Sequence, residues 1–377
     1  MSKWPGKYVI GLTGNIGTGK SVVRRMLEHL GANGIDADSL AHRAISRGAP
    51  AYLSVVSTFG RWVLDDDSQI NRHKLGELVF GNLEAMQTLE GIVHPYVDQA
   101  VDLLIRRASQ RLIVIEAIKL FESELDMACD TCWVTIAPEG LQVARLVTRR
   151  GMSEEEALKR IRSQSPQDEK RMRADVIIQN SGSFEKTWKQ VHAAWSMISP
   201  IMDTTPTAVD RTARDELVVK RGRPSDSLEI ASLITRLGNG RKAPSYEDVM
   251  AEFGEKAFLL LKKNNNLVGL AAWQVENLVA RTTELYVDPQ VDQPHGLKTL
   301  MVEVEKSSRD LQCEASLLFL TDELSAKTSV WKELGYERYT MDSLGVQAWQ
   351  DAVVESMPAN SILYFKQLRK DRILRPI

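Results

Sequence analysis

The sequence predicts an α/β protein in two parts: a doubly wound parallel sheet with a helical insert over residues 1–200, and an α+β unit over 216–377, joined by a linker over 201–215. Three observations predict it. At 377 residues the chain is long for one hydrophobic core. In the first half, short apolar runs alternate with amphipathic helical stretches, the pattern of strand, helix, strand units in a parallel sheet. In the second half strands follow one another across tight turns, as in an antiparallel sheet.

The first element is the strand Tyr8 to Ile10, followed by Gly11-Leu-Thr-Gly14-Asn15-Ile16-Gly17-Thr18-Gly19-Lys20-Ser21 and then the helical pattern Val22, Val23, Met26, Leu27, Leu30. Gly14, Gly19, Lys20 and Ser21 fill the fixed positions of a phosphate-binding loop. Glycines let backbone N–H groups turn inward around phosphate oxygens, and the helix adds its positive N-terminal end. Residues 14–21 are therefore expected to hold the phosphates of a nucleoside triphosphate, with Lys20 bridging the outer ones and Ser21 as the metal ligand for Mg2+.

Next comes Gly31 to Asp38, read as a short strand that ends in two carboxylates. Alternation along a strand predicts Asp36 and Asp38 on one face, at the end of the sheet where ligands bind. The other reading is a surface turn with two acids. A helix over Ser39 to Ile45 carries His42 one turn past Asp38, and helical patterns fill Pro50 to His94, with His94-Pro95 closing the insert. Leu112 to Ile115 is a buried strand with Glu116 at its end, and Trp133 to Ile136 is another. Two helical stretches then carry Arg145, Arg149, Arg150, Lys159, Arg160 and Arg162. They are either solvated faces or a lid of cations closing over phosphates. Val176 to Ile178 is the last strand of this half, followed by the turn Asn180-Ser-Gly182. Cys129 and Cys132, with no second pair to complete a zinc site, read as buried thiols flanking a strand.

In this order the motifs resemble the dephospho-coenzyme A kinase family, through Gly11 to Ser21, Ile35-Asp36-Ala-Asp38 with His42, His94-Pro95, Leu120-Phe-Glu122, Arg145-Leu-Val-Thr-Arg149, Gln164, Lys170, Ala174-Asp175 and Asn180-Ser-Gly182. The resemblance implies ATP-dependent phosphorylation of the ribose 3'-hydroxyl of dephospho-CoA. It implies Asp38 as the group that accepts or orients the hydroxyl proton, Lys20, Arg145 and Arg149 as catalytic cations, and Asn180 beside the adenine. His42, His94 and Glu116 are expected with Asp38 on the acceptor. The chain departs from the family at Ile118-Lys119, where a Pro-Leu pair is usual, and this bears on the acceptor pocket rather than the donor site. A kinase of another nucleotide, or a nucleotide-binding regulator without turnover, is the alternative.

The second half, after the polar stretch 201–215, resembles the GNAT acetyltransferase fold in element order and in Val287-Asp-Pro289 and Trp331-Lys-Glu-Leu-Gly-Tyr336. The resemblance implies CoA or acetyl-CoA as a ligand. Against transfer, Lys298 takes the last place of the expected pyrophosphate loop after Gln293 and Gly296, and Trp331 stands where a Tyr acid is usual. Glu284 is a candidate base or a solvated strand residue. A binding or structural role is expected, with an active N-acetyltransferase as the alternative.

With acidic and basic residues nearly cancelling at a formal net charge of −2, nothing suggests a polyelectrolyte partner, and neither nucleic acid nor a membrane is expected. Arg221-Gly-Arg223-Pro224 matches the core of a minor-groove hook but has no second basic cluster. The N-terminus carries no apolar run of signal length, so a cytoplasmic protein acting on small molecules is expected, its oligomeric state left open.

Overall fold

A computed structural model of the chain describes residues 3–202, 216–238 and 243–369. It divides into two compact units, the first ending at Met202. Of the expected linker, 203–215 lies outside the described residues, and Ile201 and Met202 belong to the last helix of the first unit.

The first unit is built on five parallel strands: β1 (Tyr8–Thr13), β2 (Asn33–Asp36), β3 (Leu112–Glu116), β4 (Thr131–Ile136) and β5 (Val176–Gln179), in spatial order β2-β3-β1-β4-β5. β1 lies in the middle, in register with β3 from Tyr8 opposite Leu112 and with β4 from Ile10 opposite Thr131. Ile10, Leu12, Val114 and Trp133 are buried, which is why these runs read as continuously apolar. Helices α1 (Lys20–His29) and α2 (Ala37–Ala44) follow β1 and β2. Next come α3 (Tyr52–Phe59), α4 (Arg72–Gly81) and α5 (Leu83–Arg107), the helical insert. After β4 come α6 (Glu139–Arg150), α7 (Glu154–Arg162) and α8 (Gln167–Arg173), and after β5 comes α9 (Phe184–Met202).

Three expectations need correction. His94-Pro95 does not close the insert, because α5 runs through Pro95 to Arg107. A proline inside a helix costs about 3 kcal/mol, and burial of Val93, Val97, Val101, Leu104 and Ile105 on this helix offsets that loss. Asp36 and Asp38 do not share a strand face. The chain leaves β2 at Asp36, whose carboxylate accepts the Ser39 N–H at 2.9 Å as the N-cap of α2, so Asp38 lies in the first helical turn. Cys129 and Cys132 do not flank a strand: Cys132 sits inside β4, and half-buried Cys129 precedes it with its thiol donating to the Leu125 carbonyl at 3.4 Å.

The second unit is one seven-stranded sheet in spatial order β11-β12-β10-β9-β8-β7-β6. Its strands are β6 (Leu217–Arg221), β7 (Ala257–Lys263), β8 (Asn266–Glu276), β9 (Val279–Val287), β10 (Ala315–Leu320), β11 (Glu337–Arg338) and β12 (Ile362–Gln367). All neighbours are antiparallel except β9 and β10. Helices α10 (Ser227–Leu237) and α11 (Tyr246–Glu252) lie between β6 and β7, and α12 (Gln293–Asp310) crosses from β9 to the parallel β10. Short α13 (Asp322–Ser325) and α14 (Thr328–Leu334) follow β10, and α15 (Gln347–Ser356) precedes β12. Leu297, Leu300, Met301 and Val304 of α12 pack with Trp273, Leu318 and Trp331 in one core, while Trp349 and Val353 of α15 pack with Leu317 and Phe365 in another. The register between β8 and β9 shifts at Ala272/Trp273, a bulge. Arg221 ends β6, the Gly222 N–H bonds the Phe258 carbonyl and Pro224 is buried, so this segment is a strand end and turn. Among the described residues no helix is long and apolar enough to cross a membrane.

Candidate active site

Parallel strands put all their carboxyl ends on one side of the sheet, so whatever follows β1, β2, β3 and β5 is gathered there. The loop after β1 is shaped by contacts that only glycine permits. Gly14 has φ 146°, and a Cβ on it would lie 2.3 Å from the Thr135 carbonyl oxygen of β4. Gly19, at φ 93°, caps α1, and a Cβ there would lie 2.0 Å from Asn180 Nδ2. Side chains hold the loop by its outward atoms. Ile16 N–H donates to Gln164 Oε1 at 2.8 Å, Asn15 Nδ2 to the Ser165 carbonyl at 2.9 Å, and Thr18 Oγ1 to the Asn15 carbonyl at 2.7 Å.

Arg145, on α6, reaches the loop and the end of β5 together: Nη1 donates to the Gly17 and Thr18 carbonyls at 3.0 and 3.2 Å, and Nη2 to the Asn180 carbonyl at 2.8 Å. Asn180, buried, donates Nδ2 to the Thr18 carbonyl at 2.9 Å and accepts from Thr187 Oγ1 at 3.0 Å. Loop carbonyls are thus drawn away from the cradle. Among the described residues the N–H groups of Gly17, Gly19, Lys20 and Ser21 have no protein acceptor, and Lys20, 7% exposed, has no hydrogen-bond or ion-pair partner. Four orphan donors and an unpaired cation at a helix N-terminus with no side-chain cap form an anion site. The donor set fits triphosphate oxygens.

Ser21 Oγ donates to Glu116 Oε1 at 2.7 Å, and the second carboxylate oxygen accepts from Arg24 Nε at 2.7 Å. Arg24 also pairs with Glu28 at 2.6 Å. Burial alone would raise the Glu116 carboxyl, but the Arg24 guanidinium, the Lys20 ammonium and these hydrogen bonds outweigh it and hold the group below its ordinary value. With its proton spent on Glu116, the Ser21 hydroxyl keeps its lone pairs for a cation, which fits Mg2+. Asp36 is driven the other way, to about 7, first by burial and then by the negative charge of Glu116, with Arg24 opposing.

Asp38 lies on the same side. Its two oxygens each accept from the Ile118 N–H at 3.2 Å. Burial raises its carboxyl, while Lys20, the Ile118 N–H and Lys170 oppose the rise. Lys170 itself is buried, donates to the Ile118 carbonyl at 2.6 Å and lies 3.6 Å from Glu122; burial lowers its ammonium.

Of the expected site residues, the structure therefore joins 14–21, Asp38, Glu116, Arg145 and Asn180. Arg149 is exposed one turn beyond Arg145. His42, solvent-accessible on α2, is lowered to about 4 by crowding from surrounding atoms and then by the cations Arg72 and Arg150. His94 is half-buried on α5, and among the described residues no hydrogen bond joins it to the rest. Sequence reasoning missed Arg24. Its signal was a basic residue on the buried face of α1, one turn after Lys20, where an apolar residue belongs. It also gave Lys170 no role, because nothing local marks a lysine on a short polar helix as buried.

In the second unit the expected ligand loop is the first turn of α12. Asp292 caps it by accepting the His295 N–H at 3.2 Å, and Lys298 pairs with Glu333. Gly296 is closely packed, since a Cβ there would lie 2.9 Å from Val287 Cγ1. Trp331 is fully buried and donates Nε1 to the Leu324 carbonyl at 2.7 Å. Glu284 pairs with Lys256.

The family profile described as dephospho-CoA kinase matches residues 8–186. A dephospho-CoA kinase from Carboxydothermus hydrogenoformans is 45% identical over 186 residues, which span 48% of this chain and 90% of that one. A dephospho-CoA kinase structure from Campylobacter jejuni shares 29% identity over 52% of this chain and 98% of its own, with TM-score 0.38. A GNAT-family acetyltransferase structure from Staphylococcus aureus shares 15% identity over 41% of this chain and 100% of its own, with TM-score 0.33. With a relative of that identity matched over nine-tenths of its length, and with the phosphate cradle, Asp38 and Asn180 in one site, the chain belongs through its first unit to the dephospho-CoA kinase family.

Proposed function

We propose that the first unit transfers the γ-phosphoryl group of ATP to the ribose 3'-hydroxyl of dephospho-CoA, giving CoA and ADP. The observation that carries this reading is the open cradle with unpaired Lys20 on the same side of the sheet as the tethered Asp38 carboxylate. Phosphoryl transfer passes through a loose transition state, so the protein mainly positions groups and neutralises charge. The orphan N–H groups take the β- and γ-phosphate oxygens, and Lys20 follows the charge as it moves to the leaving oxygen. Arg145 and Arg149 add positive charge from α6, and Asn180 borders the adenine. Ser21 would hold Mg2+, which would supply positive charge to the phosphate groups. Glu116 serves by orienting Ser21. Asp38 orients the 3'-hydroxyl and takes its proton as the new O–P bond forms, while His42 and His94 lie toward the acceptor.

For the second unit we propose a binding role without acetyl transfer. An indole N–H already committed to a carbonyl cannot protonate a leaving thiolate, and Trp331 is so committed. Weak binding of CoA or dephospho-CoA there would raise the local concentration of the kinase's own product or substrate. The test is ADP release from the full chain with ATP and dephospho-CoA, beside thiol release from acetyl-CoA over a panel of amines. ADP release that requires dephospho-CoA, without amine-dependent thiol release, is expected. No dependence on dephospho-CoA overturns the kinase reading, and robust thiol release overturns the binding reading.

A further inference from the structure

The segment after β3 is where this chain departs from the Pro-Leu pair usual in the family it resembles, and the structure shows what occupies the place. Ile118 is half-buried and pinned on both sides. Before it, the Ala117 N–H bonds the Leu12 carbonyl of β1 at 3.0 Å. After it, the Ile118 carbonyl accepts from Thr13 Oγ1 at 3.0 Å and from Lys170 Nζ at 2.6 Å. One residue on, Lys119 pairs with Glu90 of α5. The Ile118 N–H, fixed between these anchors, points at both oxygens of Asp38. A proline at 118 would have no N–H to give.

We infer that Ile118 is a positioning residue for the phosphoryl acceptor's base: its backbone N–H, locked by Thr13, Lys170 and β1, holds the Asp38 carboxylate across both oxygens and favours its ionised form. This rests on the kinase reading, in which Asp38 faces the 3'-hydroxyl. An N–H shared by two carboxylate oxygens occupies one side of the group and leaves the remaining lone pairs open to the hydroxyl. It also favours the anion over the acid, because only the anion accepts at both oxygens. Lys20 from α1 and Lys170 from α8 act in the same direction, whereas Glu116 from β3 and Asp36 beside the start of α2 oppose it. The N–H is the component a single substitution removes without changing any charge. In the transfer itself the 3'-oxygen bonds to phosphorus, the bond from phosphorus to the ADP oxygen breaks, and the hydroxyl proton passes to Asp38; the tether sets the pH at which Asp38 is ready to receive it.

The test compares Ile118→Pro, which deletes the N–H, with Ile118→Ala, which keeps it while trimming the side chain. Both are read in the full chain by the pH dependence of kcat/KM for dephospho-CoA and by ATP affinity. The acid limb of Ile118→Pro is expected about one pH unit above wild type, with kcat/KM at the foot of the limb down about fivefold to tenfold and kcat/KM on the plateau above it within about twofold. Ile118→Ala should follow the wild-type limb, and ATP affinity should hold in both. An unmoved limb in a folded Ile118→Pro overturns the inference. If that variant does not fold, the Ile118 amide resonance decides: titration of its shift in step with the acid limb, lost in Asp38→Asn, supports the tether, and a flat resonance overturns it. ADP release from the wild-type chain without dependence on dephospho-CoA would sink the kinase reading itself, full turnover in Asp38→Asn would remove Asp38 as the base and the tether with it, and an inactive Asp38→Asn with an unmoved Ile118→Pro limb removes the tether alone.

Discussion

Each unit has a long helix whose start carries a glycine and a lysine, and the two starts behave oppositely. At α1 the cap is Gly19 in a left-handed conformation, no side chain bonds the first-turn N–H groups, and Lys20 has no partner among the described residues. At α12 the cap is the Asp292 carboxylate, Gly296 is filled against Val287, and Lys298 is paired with Glu333. The residue types overlap, but at α1 the donors and the cation are left for a ligand, and at α12 the protein has already satisfied them. A helix start becomes an anion site only when nothing in the chain competes for its N–H groups.

The largest expected effect tests the open start. Lys20→Ala should lower turnover at least about a hundredfold, since it removes the cation that follows the transferring charge; near-normal turnover in a folded variant would show that the α1 cradle is not where phosphoryl transfer occurs. Asp38→Asn comes next, with a loss of about a hundredfold in transfer and ATP affinity unchanged. Calorimetric titration with a non-hydrolysable ATP analogue checks the second half of that statement, and a large drop in affinity would move Asp38 to the donor side.

A smaller effect tests the satisfied start. Asp292→Ser keeps a capping oxygen but removes its charge, and Glu333→Gln frees Lys298. Together they should tighten acetyl-CoA binding by the full chain about threefold to tenfold. Unchanged binding would mean that α12 is not the ligand-facing helix. The smallest concerns stability near the open start. Asp36 titrates at about 7 in the folded protein against 3.8 for an ordinary carboxyl, so its ionisation opposes folding. The penalty begins as pH rises past about 4 and is complete above about 7. Asp36→Asn, which can still cap α2, should therefore raise the Tm of the first unit by a few degrees at pH 8, on the order of 1–3 kcal/mol. At pH 4 it should change little, and equal shifts at both pH values would mean that the Asp36 charge is not the cause.

Much of the first unit was legible in the chain because its signals are local. A phosphate-binding loop is a run of consecutive residues between a strand and a helix, and the apolar runs at β1, β3 and β4 follow from burial on both faces of the sheet. The loop residues from Gly14 to Ser21 and the succession of strands along the chain needed no tertiary information, whereas their order in the sheet, β2-β3-β1-β4-β5, did. Where two local signals competed, the reading failed. Pro95 reads as a stop, yet the apolar stripe of α5 continues beneath it, and packing on the core outweighs one lost hydrogen bond. Asp36 and Asp38 read as alternating strand residues, yet a carboxylate that can cap a helix turned the chain two residues earlier.

Sequence by itself determined the loop, the parallel sheet and the set of acids and cations available to the site, because each is specified by residues close together in the chain. Tertiary structure alone decided which of those groups stay free. Glu116 was assigned to the acceptor by its place at a strand end, but Arg24 and Ser21, more than ninety residues earlier, take both its oxygens. Lys170 and Ile118 entered the site through bonds spanning 52 and 80 residues. Whether the Lys298 charge stays free was decided only by Glu333, on α14, which pairs with it. A hydrogen bond or ion pair depends on distances of a few ångströms between segments remote in sequence, and those distances exist only once the strands and helices have packed.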